Sequence, residues 1–162
     1  MTIPQLTEKM IAFSKGDIHD IDHFMKVWGY AKTIGELEGL DEGTQFILEV
    51  AALTHDIACP LCREKYGSTI WVKQEEEGRP MVRDFLADTA LSPAIIDRVA
   101  YLVGHHHTLT GVEGMDYQIL IEADYMVNAA EKGLGKGEIA AFMAEHFRTK
   151  SGIALIKSVF GL

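Results

Sequence analysis

Histidines and acids at helical spacings are the residues of this sequence equipped to do chemistry. Six of the seven histidines fall in three places: His19 and His23, then His55, then His105, His106 and His107. Neutral imidazoles combined with carboxylates form the ligand set of first-row metal ions. Asp56 and Asp124 are the acids placed to join them. Asp124 lies four residues after Leu120 and three before Val127, so it shares the face that its helix must bury. A buried carboxylate has to be neutralised, paired or bound to a cation. His55 has Leu48, Ala51 and Ala52 behind it at helical spacings, and His23 precedes Val27 by four. The apolar series Ile95, Val99, Leu102 extends one step to His106, which makes it the inward member of the triple histidine. A single core histidine is ordinarily satisfied by a backbone carbonyl, and two His-Asp dipeptides are only a little above the roughly 0.4 that composition alone supplies. The signal is the conjunction: His23, His55, Asp56, His106 and Asp124 sit at the inner edges of separate amphipathic helices.

The elements that must position them read as helices throughout, because no stretch alternates apolar and polar residues between turn signals. A short first helix covers about Gln5–Ser14. A second runs from about Asp20 to Glu38, with Phe24, Val27, Ala31 and Ile34 as its inward stripe, and Gly39 stops it. Asp41 can cap a third helix that ends at His55-Asp56. Ala58–Gly67 reads as a Pro- and Gly-bounded loop, and Ser68–Asp88 as helical pattern that Gly78 and Pro80 should kink or split. Ser92-Pro93 starts a helix that runs to the triple histidine. Asp116 can cap a helix through about Glu131, and helices over about 138–160 finish the chain. The expected fold class is an all-α, single-domain bundle of about six to eight helices, with the motif-bearing core at about 19–131.

At 162 residues, 48% hydrophobic and 24% charged, the chain has material for one domain with a real core. Its 24 acidic residues against 15 basic leave a formal charge of −9. That balance disfavours a nucleic-acid polymer as partner and disfavours anionic membrane surfaces. No uninterrupted apolar run reaches the roughly 18 residues of a membrane helix. Pro4, Gln5, Glu8 and Lys9 stand where a signal peptide would be apolar, so the expected location is the cytoplasm. Cys59 and Cys62 are too few for a disulfide framework. The terminal apolar residues Ile153, Leu155, Ile156, Val159 and Phe160 can cover the core or form a homodimer interface.

His23, the His55-Asp56 pair and Asp124, in that order, resemble the scattered H…HD…D signature of the HD superfamily of metal-dependent phosphohydrolases. The surrounding text is similar as well. His19-Asp20-Ile21-Asp22-His23, Ala51–Ile57 and Glu122-Ala123-Asp124 look like the segments that carry the family's ligands, and the likeness spans about His19–Glu131. Two departures stand out: Lys26 occupies a position where many members have arginine, and no histidine occurs between Asp56 and His105. The resemblance implies that His23, His55, Asp56 and Asp124 hold one divalent transition metal, with Fe, Mn, Co, Ni and Zn equally compatible. A second metal would have to draw on the triple histidine. The implied reaction is hydrolysis of small phosphomonoesters, nucleotides or related metabolites, by water that the metal activates. In it Asp56 orients or deprotonates the water, His106 protonates the leaving oxygen or ligates a second metal, and Lys26, His105 and His107 contact phosphate. An HD-type di-iron oxygenase and a non-catalytic ligand-binding or regulatory module are the alternatives.

Overall fold

In a computed structural model, which describes the whole chain Met1–Leu162, nine α-helices and no strand form one bundle. They are α1 (Ile3–Phe13), α2 (Ile18–Leu37), α3 (Glu42–Thr54), α4 (Cys59–Tyr66), α5 (Trp71–Leu86), α6 (Pro93–Val103), α7 (Met115–Glu131), α8 (Lys136–His146) and α9 (Lys150–Phe160).

Local chemistry sets most of the boundaries. Thr2 and Gln5 form a reciprocal capping box at α1, and Asp17, Asp41, Ser92 and Thr149 each accept a backbone N–H at the starts of α2, α3, α6 and α9. Gly39, at φ 74°, ends α2 in a left-handed turn. The Leu40 N–H reaches back to the Gly35 carbonyl and the Gly39 N–H to that of Glu36, satisfying carbonyls the helix end would leave bare.

Three boundaries differ from the sequence expectation. Cys59–Tyr66 is helix α4 and not a loop: Pro60 occupies its first turn, Cys59 and Cys62 are buried beneath it, and Gly67 at φ 70° terminates it. Helix α5 begins at Trp71 and runs through Pro80 unbroken. Its Val82, Phe85 and Leu86 are buried, and a Cβ on Gly78 would meet Val103 of α6 at 3.0 Å. Close packing against α6 outweighs the hydrogen bond that proline removes. Helix α7 starts from Gly114, and Asp116 is not its cap; it is buried inside the first turn, where Arg98 holds it.

Helix α3 occupies the centre. Its Leu48, Val50, Ala51, Ala52 and Leu53 are all fully buried, and Ile57 just beyond its end is buried too, as expected of a helix that neighbours surround. Its neighbours are α1, α2, α6 and α7. The stretch Glu42–Tyr66 is long and apolar enough to cross a membrane by length and composition alone, and the structure spends that character on the core instead, two-thirds of the most apolar window being buried. Helix α9 lies on α2, α7 and α8 with Ile156 buried and Val159 exposed, so the terminal apolar residues largely cover the core.

Candidate metal centre

Three helices converge on a single point. His23 comes from α2, His55 is the C-cap of α3, Asp56 follows it, and Asp124 projects from the middle of α7. His23, His55 and Asp124 are buried. Nε2 of His23 lies 3.2 Å from Nε2 of His55, 3.2 Å from Oδ1 of Asp124 and 3.3 Å from Oδ2 of Asp56. Nε2 of His55 lies 3.3 Å from the same Asp124 oxygen and 3.5 Å from the same Asp56 oxygen.

The other ring nitrogens explain why this arrangement needs a cation. Nδ1 of His55 donates to the Ala52 carbonyl at 2.8 Å, and Nδ1 of His23 donates to both carboxylate oxygens of Glu131 at 3.0 and 3.1 Å. Each imidazole has therefore spent its hydrogen on the outside and turns a lone pair inward. Two nitrogens and two carboxylate oxygens then face one another at hydrogen-bond distance with no hydrogen among them. Without a metal, a proton fills that role. Burial pulls His23 downward, but its bond with Asp124 and the charges of Asp56, Asp124 and Glu131 outweigh it and raise its pKa to about 9. Burial would raise Asp124, yet hydrogen bonds with His23 and His55 hold its carboxyl well below the usual carboxylate range. The donor set fits a first-row divalent ion: nitrogen and oxygen lone pairs, converged, buried and oriented by outer hydrogen bonds.

His106 adds an adjoining group. Its Nδ1 donates to the Val103 carbonyl at 2.8 Å, which leaves Nε2 facing Oδ1 of Asp56 at 3.3 Å. Both of these atoms are buried without a hydrogen-bond partner. Asp56, His106 and His107 bring one ligand atom each within 4.8 Å of one another, as do His23, His55 and Asp124. Asp56 thus presents one oxygen to each group. Burial would raise its pKa, but the charges of His55 and His106 lower it instead. His107 is pulled down to about 4 by burial and by the neighbouring His106, and its Nε2 donates to Gln74 at 3.0 Å.

Of the residues expected to contact phosphate, only His107 lines the cavity above the centre. Lys26 is exposed at the solvent edge of α2 and does not line the cavity. His105 stacks on Tyr101, ring centroids 4.1 Å apart, and donates Nδ1 to the Tyr101 carbonyl at 2.7 Å. The cations that do line this cavity of about 690 Å³ are Arg63 and Lys132. Arg63 is held by Asp20, and Lys132 has no ionic partner. Glu131 is the site residue that sequence reasoning missed. Its only sequence signal is position: it ends α7, seven residues and two turns after Asp124, and so returns to the same face.

Comparisons with known proteins agree with the geometry. The family model described as HD domain matches residues 20–153. A solved structure described as a predicted HD superfamily hydrolase, from an uncultured Thermotogales bacterium, is similar with a TM-score of 0.72 over 98% of this chain and 84% of that chain. Their sequences are 21% identical, so this likeness speaks to the fold. No curated protein matches. With histidines and aspartates of three helices gathered at one buried point, and a family match over most of its length, the chain belongs to the HD domain family.

Proposed function

We propose that this protein is a metal-dependent hydrolase of small phosphomonoesters, nucleotides or related metabolites foremost. The observation that carries the reading is the hydrogen-free convergence of His23 Nε2, His55 Nε2, Asp56 Oδ2 and Asp124 Oδ1 beneath a polar cavity. These four residues would hold a divalent transition metal, which supplies Lewis acidity toward a phosphoryl oxygen and lowers the pKa of water. Glu131 fixes the ring of His23, and the Ala52 carbonyl fixes that of His55. Asp56 stands between the two groups, a quarter of its side chain still exposed to the cavity, where it can accept the proton of the attacking water. His106 Nε2, 3.3 Å from the other oxygen of Asp56, can share that proton and return it to the leaving oxygen. Arg63 and Lys132 line the cavity beside Asp20, Asp56 and Glu131, and with a divalent cation bound at the centre they would favour a small anion there while the chain's net −9 repels a polyanion.

The test is a panel of phosphomonoesters assayed with protein purified without chelator and supplemented with Mn²⁺ or Co²⁺. Release of inorganic phosphate that disappears in Asp56→Ala supports the reading. Metal bound at full occupancy with no turnover of any phosphomonoester contradicts it and favours a ligand-binding module. One observation favours a second reading. The unpartnered atoms Asp56 Oδ1 and His106 Nε2 offer a second cation a place, and two irons per chain with oxygen consumption would identify a di-iron oxygenase instead.

A further inference from the structure

Two cavities meet at the metal centre, and they differ in character. The larger, about 690 Å³, is lined mostly by polar residues, with Ile70 and Trp71 at one side. The smaller, about 160 Å³, is half apolar, walled by Leu109, Ile121, Tyr125, Leu134 and Phe142, and it touches His106 and Asp124 directly. His107, Asn128 and Lys132 line both. The centre therefore stands between a wide chamber lined mostly by polar side chains and a narrow one lined in equal number by polar and apolar side chains.

The narrow chamber has a definite capacity. Its volume is close to the roughly 150 Å³ that holds one benzene-sized ring. One wall here is aromatic, since Tyr125 and Phe142 stack with centroids 3.6 Å apart and planes within 2° of parallel. Such walls favour a flat ring over a branched or charged group. The amide of Asn128 is locked by its bond from Nδ2 to Asp124 at 2.9 Å, which leaves its carbonyl oxygen free to accept a hydrogen from the rim.

We propose that the small chamber binds a single aromatic or heteroaromatic ring of the substrate's leaving group while the phosphoryl end occupies the polar chamber, so that one-ring phosphoesters are taken and two-ring phosphoesters are refused. The assignment rests on the phosphomonoester reading above and deepens it; for nucleotides it selects pyrimidine over purine. In a chamber whose volume is filled by one ring, a fused second ring overlaps the side chains that line it, and that overlap costs more than the extra apolar contact returns.

Two readouts test it, one of which needs no catalysis. In the first, kcat/KM is compared for phenyl phosphate and 2-naphthyl phosphate with Mn²⁺ present. A preference of about tenfold or more for phenyl phosphate is expected, and Leu109→Trp, a half-buried loop position whose larger side chain fills the chamber, should abolish the preference by lowering the phenyl rate. In the second, phenol and 2-naphthol are titrated into the protein as purified while the methyl resonances of Leu109, Ile121 and Leu134 are followed by NMR. Phenol should shift them saturably, and 2-naphthol should not. Equal rates for the two esters, or equal or absent methyl shifts for the two alcohols, would overturn the ring assignment. Failure to hydrolyse any phosphomonoester while phenol still shifts the methyls would overturn the reaction and leave the ring site standing.

Discussion

Helix α7 buries three acids, and each is answered differently. Asp116, near its start, receives a two-pronged bond from Arg98, Nε to Oδ2 at 2.8 Å and Nη2 to Oδ1 at 2.6 Å, with Glu113 on the same guanidinium. Glu122, near its middle, accepts from the Thr149 amide at 3.2 Å and hydroxyl at 3.0 Å, and from Gln118 at 3.3 Å. Asp124, one position past Ala123 on the neighbouring face, meets two imidazoles that turn lone pairs toward it, with Asn128 as its one donor. The first two acids are satisfied by the protein itself and hold helices together. The third has its partner set built for something the chain does not supply. The distinction between a structural and a chemical carboxylate thus lies in whether the surrounding groups bring hydrogens or lone pairs, and not in depth of burial, which all three share.

Substitutions at the three acids should separate those roles, beginning with the largest effect. Asp124→Ala should cost on the order of 10³-fold in phosphomonoester turnover by removing a ligand from the centre. It should purify with almost no metal while keeping its helical circular dichroism; a variant retaining metal and turnover would erase the contrast with Asp116. Arg98→Ala leaves Asp116 buried with nothing to offset its charge and should lower the unfolding free energy in urea by roughly 3 kcal/mol, at the lower end for a broken buried pair because a quarter of the arginine side chain is exposed. The metal content of its folded fraction should be unchanged, and a loss there would mean that Asp116 also belongs to the site. Glu131→Ala should weaken metal binding by about 10- to 100-fold, the usual effect of removing an outer hydrogen-bond partner. Glu131→Gln, which still accepts from His23 Nδ1, should recover much of that, as measured by competition with a chromophoric chelator. Glu122→Ala should cost about 1 to 3 kcal/mol in stability by stranding the Thr149 donors, with metal affinity unaltered.

The pH dependence supplies a subtler contrast. His23 in the metal-free protein keeps its second proton up to about 9, against an ordinary value of 6.5. A group raised in the folded state contributes stability that is fully present below its ordinary pKa and is lost as pH climbs through the folded one. Chelated protein should therefore lose stability progressively between pH 6.5 and 9. The metal-loaded protein should not, because the metal takes the proton's place. Parallel thermal-melting profiles for the two forms over that interval would show that His23 does not sit at the metal.

The parts of this design that sequence reveals are those governed by periodicity. His23, His55, His106 and Asp124 could be placed because each continues an apolar stripe of its own helix, and the structure buries all four. Periodicity is silent about what one helix hands to another. Glu131 reaches His23 across 108 residues of chain, and Arg98 reaches Asp116 across a turn, so the first looks like a solvated helix end and the second like a cap. Lys26 fails for the opposite reason: three residues beyond His23 is near the same face but on its solvent edge, and the cavity takes its positive charge from α4 and the end of α7 instead. Helix α4 was obscured because Pro60 and Gly67 punctuate a loop and a short helix alike. Two buried cysteines three apart were the only sign of a face to bury.

The most direct test of the central claim is elemental analysis of protein purified without chelator, beside His55→Ala and Arg98→Ala prepared identically. The account predicts at least one divalent transition metal per chain in the parent and in Arg98→Ala, and almost none in His55→Ala. A parent protein that carries no metal and takes up none from Mn²⁺, Co²⁺, Fe²⁺, Ni²⁺ or Zn²⁺ would contradict it.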